Sequence, residues 1–194
     1  MERSSRWIVV AIALVVVAFG ALLGALLGAN EGPGPHVASA SRTPLEGFGE
    51  VAATITDASG KTCEVCLLAA IDEPQRERGL MEVTDTDLGG YDGMIFLYPE
   101  LSSRSFWMRN TPMPLSIAYF DADGELVSTA DMAPCADRDD CPRYRAAAPF
   151  AYALEVPRGR LGALLVKANS TITLGARTCP LSSSVTPPGH TGSR

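Results

Sequence analysis

The sequence has 194 residues, a formal net charge of −6 and a pI near 4.9. This length allows one domain of ordinary size together with accessory segments. The acidic balance argues against nucleic-acid binding, which requires a clustered basic face.

The N-terminal segment combines positive charge with a long apolar run. Arg3 and Arg6 lie within residues 1–6, and residues 7–28 contain no charged side chain. An apolar run of about 20 residues matches a membrane-spanning helix and exceeds the roughly 7–15 residues of a signal-peptide core. We therefore predict a cytoplasmic n-region at 1–6 and an uncleaved transmembrane anchor at 7–28, with the remainder outside the membrane. Secretion after signal cleavage is the alternative.

Two segments flank the predicted domain and have the composition of linkers. Residues 29–47 are rich in Pro, Gly, Ser and Ala, and residues 181–194 contain SSS, PP and a polar end. Neither segment offers an apolar face to bury, so we predict a flexible linker and a disordered tail. The globular domain is expected at 48–180, on the extracytoplasmic side of a single-pass membrane protein.

Inside the domain, short apolar segments alternate with turn residues. Pro74 suits the first turn of a helix at 73–81, and residues 160–166 predict a short helix or turn. Residues 109–114 are expected to form a polar corner, and 134–149 a loop. The predicted strands are 51–56, 62–70, 94–98, 105–108, 115–120, 125–130, 150–156 and 171–175. This pattern predicts a compact, barrel-like α+β domain that is mostly β, preceded by the transmembrane helix.

The five cysteines suggest disulfides, which are permitted outside the membrane. Cys135 and Cys141 flank a short acidic loop and are the expected pair. Cys63 and Cys66 lie three apart on a predicted strand, so their side chains point to opposite faces. Cys179 follows the last strand and is expected to reach one of these two, leaving the other as a free thiol.

Histidine is missing from the predicted domain. His36 lies in the linker and His190 in the tail. This excludes an imidazole base, a catalytic triad and an imidazole metal site from the domain. The sequence also lacks GxSxG, P-loop and GxGxxG motifs.

The polar corner carries the best candidates for ligand binding. Arg109, Asn110 and Thr111 follow Trp107 and Met108, and Arg78 is expected nearby. Polar groups that converge beside an aromatic side chain are typical of a ligand groove. Such a groove is expected to prefer a small polar or anionic ligand. The structural alternative is that Asn110 and Thr111 cap local backbone groups.

Glu155 lies within an apolar strand, where a charged group needs a partner. Arg78 or Arg109 is the expected partner in a structural ion pair. The enzymatic alternative uses Glu155 as acid or base without any histidine. It predicts a hydrogen bond between Glu155 and Asn110 or Arg109.

Sulfur-bearing residues suggest a weaker alternative, the handling of copper or another soft metal. Met81, Met94 and Met108, together with Cys66, offer ligands that suit Cu(I). Methionine is also a common filler of hydrophobic cores. The expected role of these methionines is therefore core packing.

Several motifs occur together in an order and spacing that resembles domain-of-unknown-function family 192. They are RERGLM at 76–81, GMIF at 93–96, FWMRNTPMPLSIAYFD at 106–121, Tyr144 and YALEVP at 152–157. The resemblance covers nearly all of residues 51–174. It implies a compact β-rich domain, often exported or membrane-tethered in bacteria and archaea, with no established activity and no cofactor.

Two positions depart from the family pattern. Ser116 stands where relatives usually carry Asp after the PL pair, and Asn169-Ser170 replaces a usual Gly-Asp. If either Asp serves catalysis or metal binding in relatives, this chain lacks that role. We therefore predict a binding or accessory module of the cell envelope that acts on a ligand or an envelope protein, rather than an enzyme. Its predicted ligand-binding residues are Arg78, Trp107, Arg109, Asn110, Thr111, Tyr144 and Glu155.

Overall fold

The computed structural model describes residues 42–179. The predicted anchor, most of the linker and the predicted tail lie outside the described residues. Every described residue belongs to one compact unit of the chain. Within 42–179, no helix has the length and apolar character needed to cross a bilayer.

The domain is mostly β, as predicted, with one short α-helix, α1 (Glu73–Arg78). Seven strands form one sheet in the order β6-β5-β8-β3-β2-β1-β9, and β4 pairs with β7 in a separate two-stranded sheet. All pairs are antiparallel except β2–β3, which α1 connects as a crossover. The strands are β1 (Gly49–Thr56), β2 (Thr62–Ala70), β3 (Gly93–Ser102), β4 (Phe106–Trp107), β5 (Leu115–Phe120), β6 (Leu126–Met132), β7 (Arg143–Tyr144), β8 (Phe150–Pro157) and β9 (Thr171–Leu174). Two 3-10 turns lie at Leu88–Gly90 and Leu161–Leu164.

Both faces of the large sheet are buried, and they carry different residues. In β2, Cys66 and Leu68 belong to one hydrophobic cluster, whereas Val65 and Leu67 belong to another. This alternation follows from the two-residue period of a strand. It explains why the central strands are predominantly apolar, as in β5, where every residue is buried.

The short helix is defined by its own sequence at both ends. The Asp72 carboxylate accepts a hydrogen bond from the backbone N–H of Gln75 (2.9 Å), and the Gln75 side chain accepts one from the N–H of Asp72 (3.2 Å). This reciprocal pair is a capping box, with Pro74 in the first turn. Gly79 ends the helix with φ +48°, a value that favours glycine. The predicted helix over 73–81 is therefore three residues too long.

The large sheet is open in strand order, and barrel-like closure stays a prediction. The edge strands do approach each other beside the β5–β6 turn. Leu126 donates its backbone N–H to the Ser170 carbonyl (3.0 Å), and Ile172 donates to the Gly124 carbonyl (2.8 Å). These contacts cover part of an edge that would otherwise expose unpaired backbone groups.

Three predicted boundaries were wrong. The strand over 105–108 is reduced to the two residues of β4, and the loop over 134–149 contains β7, which pairs with β4. The strand over 94–98 runs on to Ser102 because its pairing with β8 resumes after an irregularity at Leu97. These errors share one cause: each boundary depends on a partner strand that is distant in sequence.

Two disulfides cross-link the domain. Cys135–Cys141 confirms the predicted pair, and Cys66–Cys179 joins β2 to the segment after β9. Cys63 is free and half-buried, so the predicted division between a bonded and a free cysteine of β2 is also confirmed. The two bridges enclose very different lengths of chain, with sequence separations of 113 and 6 residues.

Removing each disulfide is expected to cost different amounts of stability. Loop-closure entropy gives about 4–5 kcal/mol for the long Cys66–Cys179 loop and about 2 kcal/mol for the short one. Denaturant unfolding of the full chain in mild detergent should therefore show a larger loss for C66A/C179A than for C135A/C141A. The control C63A should change the free energy of unfolding little. Equal losses for the two double variants would contradict this account.

Candidate functional site

A solvent-open groove lies beside the two-stranded sheet, with a volume of about 470 Å³. It receives residues from α1, from the end of β3, from β4 with the corner after it, and from β7. Four arginines face it, against two carboxylates. The lining residues are Arg76, Glu77, Met81, Tyr98, Arg104, Ser105, Phe106, Trp107, Arg109, Asn110, Asp137 and Arg143.

Trp107 organises the arginines in this groove. The guanidinium of Arg143 lies 3.9 Å from the centroid of the indole ring, and that of Arg109 lies 5.6 Å from it. Both distances allow a cation–π interaction. No carboxylate in the described part of the chain pairs with Arg143. Its donor groups are therefore available to a ligand.

Arg109 is held by the disulfide loop. Its Nε donates to Asp137 Oδ1 (2.6 Å), and its Nη1 donates to Asp139 Oδ1 (2.8 Å). These two contacts raise the pKa of Arg109, chiefly through the hydrogen bond to Asp137. The aspartate side chains are 66% and 94% exposed, so the ion pairs contribute little stability and can exchange with another anion.

Arg76 and Arg104 share a single carboxylate, Glu73. Arg76 Nη2 lies 3.0 Å from Glu73 Oε2, while Arg104 pairs with the other oxygen. Both contacts lower the pKa of Glu73, the one with Arg104 more strongly. Arg76 also donates to the Leu97 carbonyl (2.8 Å) and stacks 5.1 Å from the Tyr98 ring. Within 42–179, Glu73 is the carboxylate that pairs directly with these two arginines, and Glu77 adds a second negative charge at this end of the groove.

A small cavity of about 30 Å³ adjoins the groove and contains Glu155. Arg76, Glu77, Met81, Phe106 and Trp107 line both spaces. Glu155 is the only carboxylate among the buried residues of β8. Its register opposite Met94 and Ile117 turns its side chain toward the groove side of the sheet.

The Glu155 carboxyl is 4% exposed, and no hydrogen bond or ion pair reaches it from any residue of 42–179. Burial raises its pKa to about 8. The side chain is therefore mostly protonated at neutral pH. Its charge, when present, also raises the pKa of Tyr119, although burial of that tyrosine is the larger cause.

The expected partners of Glu155 are engaged elsewhere, so the predicted ion pair was wrong. Arg109 binds the two aspartates, and Arg78 donates to the Glu46 carbonyl (2.7 Å) and lies 5.1 Å from the Phe48 ring. Asn110 does not reach Glu155 either. The contact that the enzymatic alternative requires is therefore not formed.

The other predicted site residues divide between the groove and the scaffold. Asn110 lines the groove, has φ +53° and donates to the Glu82 carboxylate (3.0 Å). Thr111 is buried and lines the small cavity, and its hydroxyl donates to the Arg109 carbonyl (3.2 Å). The Tyr144 hydroxyl accepts a hydrogen bond from the N–H of Ala133 (3.0 Å). Tyr144 thus fastens its loop and does not line the groove.

The predicted ligand-binding residues did not include Tyr98 or the other three arginines that line the groove, Arg76, Arg104 and Arg143. The sequence did carry one signal for these residues, the excess of arginine over lysine, because Lys61 and Lys167 are the only lysines in the chain. Arginine presents a planar fork of donors and stacks on aromatic rings, whereas lysine does neither. Convergence of these arginines could not be inferred from spacing, because they lie on separate elements.

Cys66 cannot serve as the thiolate ligand of the soft-metal alternative, because it forms a disulfide with Cys179. Met94 and Met108 are fully buried in the first cluster, as expected of core residues, and Met81 lines the groove. Glu50 lies close to the two disulfide sulfurs, with potential ligand atoms within 4.8 Å of one another. Sulfurs joined in a disulfide are not thiolate ligands, and Glu50 accepts hydrogen bonds from Tyr91 and Cys179 instead.

The two departures from the family pattern occupy structural positions. Ser116 is buried, donates to the Asp131 carboxylate (2.5 Å) and accepts a hydrogen bond from the N–H of Gly159 (3.0 Å). Asn169 adopts φ +61°, and the Ser170 hydroxyl accepts a hydrogen bond from the N–H of Lys167 (3.3 Å). Neither position lines the groove.

A comparison with family models identifies the family of the chain. The model of the family DUF192, described as "Uncharacterized ACR", matches residues 54–174. A crystal structure from Sinorhizobium meliloti 1021, provisionally named a transcription regulator, is 26% identical, with a TM-score of 0.58 and coverage of 66% of this chain and 95% of that chain. A protein of unknown function from Novosphingobium aromaticivorans DSM 12444 is 29% identical, with a TM-score of 0.58 and coverage of 69% and 91%. No curated protein matches the sequence.

The buried carboxyl predicts a stability that falls with pH. Glu155 ionises near 4.5 in an unfolded chain and near 8 in the folded protein, so its contribution is complete below pH 4.5 and is lost as the pH rises to about 8. Between pH 5 and 8, the folded chain should lose roughly 3 kcal/mol relative to Glu155→Gln. Denaturant unfolding of both proteins at several pH values measures this difference. Parallel stability curves would show that Glu155 titrates normally.

Proposed function

The chain belongs to domain-of-unknown-function family 192, and from that membership and the geometry of the groove we propose that it is an envelope module that binds anionic ligands. The observation that carries this proposal is that four arginines line one open groove, and the guanidinium groups of two of them, Arg109 and Arg143, lie on the ring of Trp107. Arginine side chains bind carboxylates and phosphates through paired, charge-assisted hydrogen bonds. Such a cluster is unexpected in a chain with a net charge of −6 unless the arginines have a local task.

Each arginine has a distinct part in the proposed site. Arg143 has a ring contact but no carboxylate partner in 42–179, so it can bind an anion without losing an ion pair. Arg104 is 63% exposed and shares Glu73 with Arg76. Arg109 can bind an anion in exchange for its exposed aspartates. The site therefore favours ligands with several negative oxygens over a single halide ion.

The groove offers less support for nucleic acid, despite the provisional name of the Sinorhizobium protein. Its positive charge is confined to one groove, and Asp137, Asp139 and Glu77 lie within or beside that groove. Phosphate backbones are bound by extended basic surfaces. A small anionic ligand, or one anionic group of a larger envelope component, fits this distribution of charge better.

Two observations support an extracytoplasmic location. Both disulfides belong to a class of bonds that is rare in the reducing cytosol. The apolar segment 7–28 has the length of a membrane anchor, and arginines precede it. We therefore place the domain outside the cell membrane, attached by the N-terminal segment.

Arg143 provides the sharpest test of anion binding. Titration of the full chain with inorganic phosphate at constant ionic strength, followed by calorimetry, should reveal binding that Arg143→Gln weakens about tenfold, the effect expected from one charge-assisted hydrogen bond. Arg158→Gln is the matched control, because Arg158 is exposed and does not line the groove. Absence of binding beyond that of chloride, or equal weakening by the control, would overturn the proposal.

The location can be tested independently of ligand binding. In a bacterial host, the full chain should remain with the membrane after alkaline carbonate washing, and protease added to spheroplasts should digest the domain. Residues 7–28 are apolar enough to resist the wash. A soluble, processed chain outside the cytoplasm would favour signal cleavage instead. A domain protected from the protease in intact spheroplasts would refute the proposed orientation.

A further inference from the structure

The small cavity beside the groove has an unusual lining. The Glu155 carboxyl in it is almost fully buried and has no hydrogen-bond partner among the residues of 42–179. Buried carboxyls without partners are costly and rare, because desolvation is not compensated. The cavity volume of about 30 Å³ exceeds the roughly 10–15 Å³ that one water-sized group requires. One small polar group therefore fits beside the carboxyl.

The cavity and the groove share their walls. Phe106 and Trp107 of β4 line both spaces, as does Arg76, whose buried Nε lacks a hydrogen-bond partner within the described chain. When the anionic group of a ligand binds the arginines of the groove, the neighbouring atoms of that ligand therefore lie next to the small cavity. Apolar walls supplied by Leu80 and Phe96 make that cavity selective, because they exclude larger hydrated groups.

We propose that this cavity is a hydroxyl subsite, so that the ligands of the groove are hydroxylated organic anions rather than bare inorganic ones. This inference rests on the anion-binding function proposed above and specifies its substrate class. A hydroxyl can both donate to and accept from a carboxyl group, and it satisfies Glu155 in either protonation state. An ammonium group suits the site less well, because two arginines, Arg76 and Arg78, line the same cavity.

Three phosphates separate these possibilities on the full chain. Propyl phosphate and glycerol 3-phosphate carry the same anion and the same carbon chain, but only the second has hydroxyls; 2-aminoethyl phosphate carries an ammonium group instead. In calorimetric titrations, glycerol 3-phosphate should bind at least about fivefold more tightly than propyl phosphate, as one buried hydrogen bond predicts. The 2-aminoethyl compound should show no such advantage.

Substitutions of Glu155 then test whether the preference for glycerol 3-phosphate over propyl phosphate arises in the small cavity. Glu155→Leu should abolish the preference for glycerol 3-phosphate, because it removes the hydrogen-bonding partner. Glu155→Gln, which keeps an amide donor and acceptor, should retain most of it. The preference is a ratio of two affinities, so a general change in anion binding cancels. Glu100→Leu is the matched control, because Glu100 is exposed and lies outside both spaces.

The outcomes distinguish failure of this inference from failure of the proposed function. If all three phosphates bind equally and Arg143→Gln weakens them all, the anion site stands and the hydroxyl subsite is wrong. A preference that survives Glu155→Leu, or a stronger preference for 2-aminoethyl phosphate, also overturns it. If none of the three phosphates binds, the proposed function itself fails.

Discussion

The register of β8 between β3 and β5 is the constraint on which this structure depends. Glu155 is opposite Met94 on one side and Ile117 on the other, so β8 is hydrogen-bonded along both edges. Gly93 permits this close approach, because a Cβ at that position would lie 2.5 Å from the Glu155 carbonyl oxygen. A shift of one residue would exchange the two buried faces and direct Glu155 away from the groove. The core and the candidate site are therefore specified by the same pairing.

Local patterns were sufficient to predict most strands and the Cys135–Cys141 disulfide of the domain, whereas the partner of Cys179 was left open between Cys63 and Cys66. The hairpin β1–β2 and the strand β5 follow from apolar segments bounded by turn residues, and Cys135–Cys141 follows from a short loop. The pairing of β4 with β7 could not be predicted, because two-residue strands have no period of their own and depend on a distant partner. The sequence also could not predict that Glu155 has no hydrogen-bond or ion-pair partner among residues 42–179. Its expected partners are occupied by Glu46 and by the disulfide loop, and those contacts are known only from the folded chain.

The candidate site illustrates the same limit. Arg76 belongs to α1, Arg104 follows β3, and Arg143 belongs to β7, so their convergence is a product of tertiary structure. The ring of Trp107 contacts two of the groove arginines, Arg109 and Arg143, and it attracts these cations without neutralising them. Of the residues predicted to bind a ligand, Trp107, Arg109 and Asn110 line the groove. Tyr144 was also predicted to bind, but its hydroxyl accepts a hydrogen bond from the N–H of Ala133 and it does not line the groove.

The acidic disulfide loop has a consequence for affinity. Asp137 and Asp139 hold Arg109 through the type of contact that a ligand carboxylate would make, and Cys135–Cys141 keeps them covalently close to it. Such tethered groups act at an effective concentration in the millimolar range. A free anion must compete with these two tethered carboxylates before it occupies Arg109, so anions at low concentration bind Arg109 weakly. Displacing the two aspartates from Arg109 costs free energy. The contacts that a ligand makes elsewhere in the groove must supply that free energy.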